Sequence, residues 1–457
     1  MKNIFFIGIN GIGMSGLAKI MLKLGYNVYG SDLKKNNLSE EMMEMGIKIY
    51  YSHNEKNIEG MDTIIVSTAI GKNNPEYAKA IKEKLTILKR GELLAKLLND
   101  KLGIAIAGTH GKTTTSSMLA TVALEKDPTI VVGGIVSEIN SNSKYGNGEY
   151  FIAEADESDN SFLYMNPKYS VITNIEEDHL EKHGSLENIK KSFYKFAIQT
   201  DKEVIICSDS LNTKEIIDKI DNAEKVKQYS LNNKKADIYA ENIKIKENKT
   251  YFDVFISGEL IGEFVLSIPG KHNIYNSLPV IYIAIKMGIK IETIKEKIKS
   301  FSGAKRRYDI LLDNKEYKII DDYAHHPTEI IATLEGAKSI EKEYITAIFQ
   351  PHRFSRIKFL LDKFQGSFEN ADKLILLPVY SAGEEDNFGI SLNELAEKIN
   401  HKNSKIILKE NDLQEELIKG ENKKVDIFMG AGSISLIAHR FAKKVEGKKS
   451  NDNIKKL

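Results

Sequence analysis

The segment Gly108-Thr109-His110-Gly111-Lys112-Thr113-Thr114-Thr115 follows the apolar run 102–107 and opens a stretch of helical character. A glycine turn between a buried strand and a helix belongs in a parallel sheet with crossover helices. It lies at the carboxyl end of the strands, where helix N-terminal amides face an anion. Lys112 can reach the β- and γ-phosphates of a nucleotide, and the Thr113 hydroxyl can hold Mg²⁺. The turn is shorter than the full G-x-x-x-x-G-K-[ST] spacing, because Ile106 occupies the first glycine position. A chance G-K-T in a surface loop would lack the strand in front, so ATP binding is the better reading.

A second glycine loop opens the chain. Gly8-Ile9-Asn10-Gly11-Ile12-Gly13-Met14-Ser15-Gly16 follows the run 3–7, and Gly11, Gly13 and Gly16 give G-x-G-x-x-G. Such glycines let backbone amides and a helix N-terminus touch a diphosphate without Cβ interference. Asp32, near the end of the next strand, is placed to accept from a ribose hydroxyl. Taken alone, this loop fits NAD and a dehydrogenase, with a turn-only role as the bland alternative. A dehydrogenase has no use for the loop at 108–115. A kinase, a nucleotide-hydrolysing motor or a non-enzymatic ATP-binding regulator would have one.

Two acidic stretches narrow the choice. Glu154-Ala155-Asp156-Glu157-Ser158-Asp159 ends the strand 150–153, and Asn174-Ile175-Glu176-Glu177-Asp178-His179 ends the run 169–173. Carboxylates at strand ends beside a phosphate loop suit Mg²⁺, a hard cation that takes oxygen ligands. His179 is a further, less usual, ligand. One such cluster reads as a solvated loop; two after consecutive strands read as a metal-assisted phosphate site.

The remaining organisation fits three α/β domains in 457 residues, with boundaries expected at 1–100, 101–304 and 305–445. Strand runs near 3–9, 26–30 and 62–68 precede those near 102–108, 129–134, 149–155, 169–175 and 203–208. Residues 236–268 alternate polar and apolar, as in a small antiparallel sheet. After a hinge at 301–307, strands recur near 317–321, 344–350, 373–380 and 425–429. The last dozen residues, rich in Lys, Ser, Asn and Asp, are expected to lack structure. Lys+Arg is 65 against Asp+Glu 64, a balance that disfavours nucleic acid or an anionic membrane as partner. The one cysteine, Cys207, lies in a buried strand and reads as core filler. The N-terminus reads as a first strand and not a signal peptide, and no apolar run spans a bilayer, so a soluble, cytoplasmic protein is expected.

With these residues in view, the chain resembles the Mur ligase family, which also includes folylpolyglutamate synthase. The marks are the loop 108–114, Glu154, Asp178-His179 and Gly270-Lys271-His272-Asn273-Ile274-Tyr275-Asn276. Within the family, Gly8–Ala18, Val66-Ser67-Thr68-Ala69-Ile70, Asp321–Pro327, Gln350–Arg356 and Met429–Ile434 resemble the alanine-adding branch. The resemblance implies a Rossmann-like N-terminal UDP-binding domain, a P-loop ATPase-like central domain and a C-terminal α/β Rossmann-like domain. It replaces NAD with UDP-N-acetylmuramate and implies ligation of L-alanine with ATP and Mg²⁺. It places Gly11, Gly13, Met14, Ser15, Asp32, Ser67, Thr68, Ala69, Asn174 and His352 at the UDP-sugar or amino acid. It places Asn273, Arg307 and Asp322 at ATP, Thr113, Glu154 and His179 at Mg²⁺, and His325, Arg353 and Arg356 at the reacting groups. Asn10 stands where this branch commonly has Gly, and tolerance of positive φ is the expected reason. Several sister ligases carry a carbamate-forming lysine fourteen residues after the motif histidine. The matching residue here is Phe193, which leaves Lys190 as the one serious substitute.

Overall fold

The computed structural model describes residues 2–418 and 423–454. Three sheets follow one another along the chain. The first is all parallel, in the spatial order Lys48–Tyr50, Asn27–Ser31, Asn3–Ile7, Thr63–Val66, Thr86–Lys89. The chain winds outward from Asn3–Ile7 to one side and then returns to the other. The crevice beyond Asn3–Ile7 and Thr63–Val66 is therefore the switch point, where a ligand is held by loops from both strands. The Gly8 loop and the Ser67 loop lie there; a Cβ added at Gly8 would sit 3.1 Å from that of Ser67.

The middle sheet has ten strands. Its parallel part places Leu102–Ala107 between Tyr150–Glu154 and Tyr169–Ile172. This order brings both acidic loops to the two sides of the phosphate loop, although 40 or more residues separate them in sequence. The antiparallel meander Ile238–Lys246, Lys249–Ile256, Glu259–Leu266 is present, but it is no separate sheet. It continues the parallel edge through two residue pairs, Tyr229–Ile238 and Ser230–Tyr239. The third sheet runs Asp309–Asp313, Tyr317–Asp322, Lys424–Met429, Tyr344–Phe349, Lys373–Leu376, Ser404–Ile406, with only the first strand antiparallel.

The cores divide these sheets unequally. One continuous apolar cluster joins Phe6, Leu17 and Leu94 of the first sheet's layer to Val131, Phe162, Phe193 and Ile206 of the second. The third sheet has its own clusters, built on Leu334, Phe349 and Ile427 on one face and Phe428 and Phe441 on the other. The first two domains are thus one packed body, whereas the third meets them largely through polar groups. Between them the hinge holds three left-handed residues, Gly303, Arg306 and Tyr308, at φ 95°, 63° and 52°. Non-glycine residues persist there because the surroundings over-determine them. Tyr308 N donates to Asp322 Oδ2 at 2.7 Å, and Tyr323 N donates to Arg306 O at 2.7 Å.

Two expectations need correction. Asn10 does not take positive φ; Gly8 does, at 80°. Asn10 is instead buried, with its side-chain amide on Lys34 O and its backbone N–H on Asp32 Oδ2 at 3.0 Å. The chain end expected to lack structure is helical as far as Ile454 within Ile434–Ile454, and residues 455–457 lie outside the described residues.

Candidate active site

The phosphate loop is fixed from both sides before any ligand is considered. Gly111, the N-cap of Lys112–Val122, takes φ 83°, and a Cβ there would meet Asn276 Oδ1 at 2.5 Å. Asn174 clamps the loop from the other side, accepting from His110 N at 2.8 Å and donating to His110 O at 3.1 Å. Lys112 folds back over its own loop, donating to Gly108 O, to Thr109 O at 3.1 Å and to Glu157 Oε1 at 2.8 Å. Burial pushes Glu157 up to about 7 against the pull of Lys112, and its second oxygen has no partner. The Thr113 hydroxyl lies 3.1 and 3.0 Å from the two Glu154 oxygens, one of which also accepts from Gly133 N at 2.8 Å. A hydroxyl and a carboxylate gathered at the end of a phosphate loop form an all-oxygen set that fits Mg²⁺.

The third domain closes over this loop. Glu329, in the first turn of Pro327–Ile340, reaches His110 Nδ1 at 3.2 Å and Arg307 Nη1 at 3.6 Å. Arg356 donates to Asp178 Oδ1 from Nη2 at 3.1 Å and from Nε at 3.3 Å. Burial alone would raise the Asp178 carboxyl, but Arg356 and His179 hold it well below the usual carboxylate range. Burial likewise opposes charge on His110, yet the carboxylates of Glu176 and Glu329, 3.5 and 3.2 Å from its two nitrogens, push it up to about 9. His110, Glu176 and His326 offer donor atoms within 4.8 Å of one another. The two imidazoles are tilted, with centroids 4.5 Å apart at 44°, and both His326 nitrogens are engaged, Nε2 on Glu177 O at 3.2 Å and Nδ1 accepting from Thr328 N at 3.3 Å. An imidazolium between two carboxylates accounts for the cluster.

On the far side, His325 Nδ1 donates to Tyr323 O at 2.9 Å, which leaves Nε2 as an acceptor. Burial and Arg356 push His325 down to about 3 and His352 down to about 4, so both rings are neutral at neutral pH. His352 accepts from Arg356 Nη1 at 3.0 Å and stacks on Tyr380 at 5.7 Å. Two cavities meet across the loop. One, of about 280 Å³, is lined by Asn174, Asn273, Tyr275 and Asp322. The other, of about 510 Å³, is lined by Ile12, Lys112, Glu154, His179, His325 and Arg356. His110, Gly111, Arg307 and Glu329 line both.

The whole chain has known counterparts. Residues 3–102 match the Mur ligase family, catalytic domain; 106–284 the Mur ligase middle domain; and 306–434 the Mur ligase, glutamate ligase domain. A curated UDP-N-acetylmuramate–L-alanine ligase from Fusobacterium nucleatum is 56% identical over 457 residues, covering 98% of both chains. Another from Hydrogenobaculum is 40% identical over 447 residues, covering 97% of this chain and 98% of its own. The chain belongs to the Mur ligase family. Among solved structures, a UDP-N-acetylmuramate–alanine ligase from Thermotoga maritima superposes with a TM-score of 0.81 at 30% identity, covering 98% of this chain and all of the other.

The candidate residues of this Mur ligase differ in what their side chains and amides touch. Met14 and Ser15 are buried, and their amides return to Gly11 O at 3.0 and 2.9 Å. The amides facing the crevice are therefore those of the first helical turn, at Ile12 and Gly13. Asp32 braces the glycine loop, accepting from Asn10 N and from Leu33 N at 2.8 Å. Asn174 lines the smaller cavity, not the one that Ile12 reaches. Asp322 has both oxygens occupied, by Tyr308 N and by Ala324 N at 2.8 Å, so a ribose hydroxyl would share them. Asn273 lines the smaller cavity with its amide donating to Pro269 O at 2.6 Å. Thr68 and Ala69 stand exposed beside Ser67 at the switch point. His179 lines the larger cavity with Nδ1 3.5 Å from Glu181 Oε1, and Arg353 pairs with Glu181 and Glu384 at 3.6 and 3.7 Å.

Asn276 stood in the Gly270–Asn276 motif without a role of its own, and two contributors lay outside the motifs as sites. Glu329 is one. The other is Arg90, whose guanidinium would meet a Cβ at Gly13 at 3.2 Å and whose Nη2 lies 3.5 Å from Asp156. An arginine opening the helix Arg90–Asn99 directly after a strand was the available signal. Phe193 is fully buried, edge-to-face with Phe162 at 5.3 Å. Lys190 is held by Glu187 and Glu215 at 2.7 and 2.8 Å.

Proposed function

We propose that this Mur ligase joins L-alanine to the lactyl carboxylate of UDP-N-acetylmuramate, with ATP converted to ADP and phosphate, in the cytoplasmic stage of peptidoglycan synthesis. The observation that carries this reading is the larger cavity. One space is bordered by the first glycine loop, the phosphate loop, Glu154 and His179, and the His/Arg cluster of the third domain. A sugar carboxylate, a γ-phosphate and an amine would meet there. The full-length relatives named as alanine ligases support the choice of substrates. No helix among the described residues is long and apolar enough to cross a membrane.

The work divides among domains at 1–100, 101–304 and 305–445. Gly11, Gly13 and the Ser67–Ala69 loop hold the UDP-sugar, with Arg90 over the diphosphate. Asn273 and Asp322 border the adenosine, and the loop 108–114 holds the triphosphate. Thr113 and Glu154 would hold one Mg²⁺, and Glu154 and His179 a second. Ions bound there would supply positive charge against the transferring phosphoryl group. A carboxylate is a poor electrophile, so its oxygen first takes the γ-phosphoryl group and ADP leaves. The alanine amine then attacks the acyl phosphate, and phosphate departs with the oxygen that came from the carboxylate. Lys112 and Arg307 stabilise the phosphoryl charge. His325, His352, Arg353 and Arg356 orient alanine and the acyl phosphate, and the proton lost by the amine is carried off by the departing phosphate.

Phosphate release with ATP and Mg²⁺ tests the assignment. It should require both UDP-N-acetylmuramate and an amino acid, with L-alanine the best of those supplied singly. Equal release without an amino acid would contradict it, and so would a clear preference for another amino acid or a peptide.

A further inference from the structure

Glu329 is a carboxylate with a divided task. Its Oε2 accepts from His325 N at 3.1 Å and His326 N at 3.3 Å, closing the turn that starts Pro327–Ile340. Its Oε1 faces the other way, to His110 Nδ1 at 3.2 Å and Arg307 Nη1 at 3.6 Å. His110 is 219 residues distant in sequence and belongs to the phosphate loop. Arg307 belongs to the hinge, and the ring of His325 also lies within reach, Nδ1 to Oε2 being 3.3 Å. The side chain is 11% exposed and borders both cavities. Burial opposes its charge, but His325, His110 and Arg307 keep the carboxyl well below the usual carboxylate range.

We propose that Glu329 is a positioning residue that aims His110, Arg307 and His325 together, and so couples nucleotide binding to amino-acid binding. The inference rests on the ligase reading above. Its physical basis is that one buried charge has three partners on three segments. A nucleotide that draws Arg307 or His110 toward its phosphates moves the carboxylate that also sets the His325 turn.

Helix capping alone would need only Oε2. Glu329→Gln separates the two tasks. The capped groups are backbone donors, so the amide oxygen stays on them and the amide nitrogen is turned toward His110 and Arg307, which are also donors. The cap survives and the aim is lost. We expect an apparent Tm lowered by no more than the few °C that the His110 pairing is worth, a 10- to 100-fold lower kcat, of the order that a misplaced reacting group costs, and raised KM for ATP and for L-alanine together. KM for UDP-N-acetylmuramate should hold, because the first domain is untouched. His110→Asn, which leaves the cap alone, should also raise KM for L-alanine as well as ATP. The losses in the double variant should fall short of the product of the single losses, as for coupled neighbours.

Normal kinetics in Glu329→Gln would overturn the inference. So would a uniform loss in which KM for UDP-N-acetylmuramate rises with the other two, multiplicative losses in the double variant, or a His110→Asn effect confined to ATP. Failure of the ligase reading would appear differently, as no phosphate release from the unaltered chain.

Discussion

Phe193 limits what could serve as a ligand to the second Mg²⁺ of the proposed reaction. A fully buried ring in the core shared by the first two domains contributes about 1.5–3 kcal/mol. Phenylalanine also cannot form a carbamate. Lys190 lies one helical turn away, and its ammonium is committed to Glu187 and Glu215. Turnover should therefore be unchanged when carbon dioxide and bicarbonate are stripped from the buffer, and Lys190→Ala should keep most of the activity. Activity lost on stripping and restored by bicarbonate would place a carbamate in the site. At this scale the sequence was most informative for residues acting through a fixed position on a loop, such as Lys112 and Thr113 beside Glu154. It was least informative for side chains whose lone pairs are filled from a distance. Asp32, Asp322 and Asn174 stand at strand ends as expected. Whether their oxygens are free depends on Asn10, Tyr308 and His110, and no local pattern records that.

The elements repeat one arrangement, a parallel strand ending in a loop that carries chemistry. Strand runs and glycine turns were legible because apolar continuity and glycine spacing are local properties. The flanking of Leu102–Ala107 by the Glu154 and Asn174 strands is a matter of sheet order, which is not. Glu329 stayed hidden for the same reason. As the third residue of a helix it reads as an ordinary cap, and only packing against the phosphate loop gives it a second role. That packing titrates. His110 is raised above its ordinary value, so its contribution is complete below about pH 6.5 and is lost as pH rises through about 9. Glu176, at about 2, and Glu329 are depressed. Their contributions are present above about pH 4.5 and lost in acid. The apparent Tm of the chain should exceed that of His110→Asn by a few °C near pH 7, and the gap should close toward pH 10. A gap that widens with pH would mean that His110 is held neutral.

The whole molecule is two packed bodies with chemistry at their seam. The first two domains share one core, and the third brings Arg356, His325 and Glu329 across on polar contacts. Under the proposed reading the three substrates meet at this seam, and closing it would shield the acyl phosphate from water. The central claim is that ATP activates the carboxylate that becomes the amide. It is tested by supplying UDP-N-acetylmuramate labelled with ¹⁸O in its lactyl carboxylate, together with ATP, Mg²⁺ and L-alanine, and weighing the products. One labelled oxygen should appear in the released phosphate for each amide formed, with ADP as the other product. Unlabelled phosphate beside labelled amide, or label carried into AMP, would contradict the account.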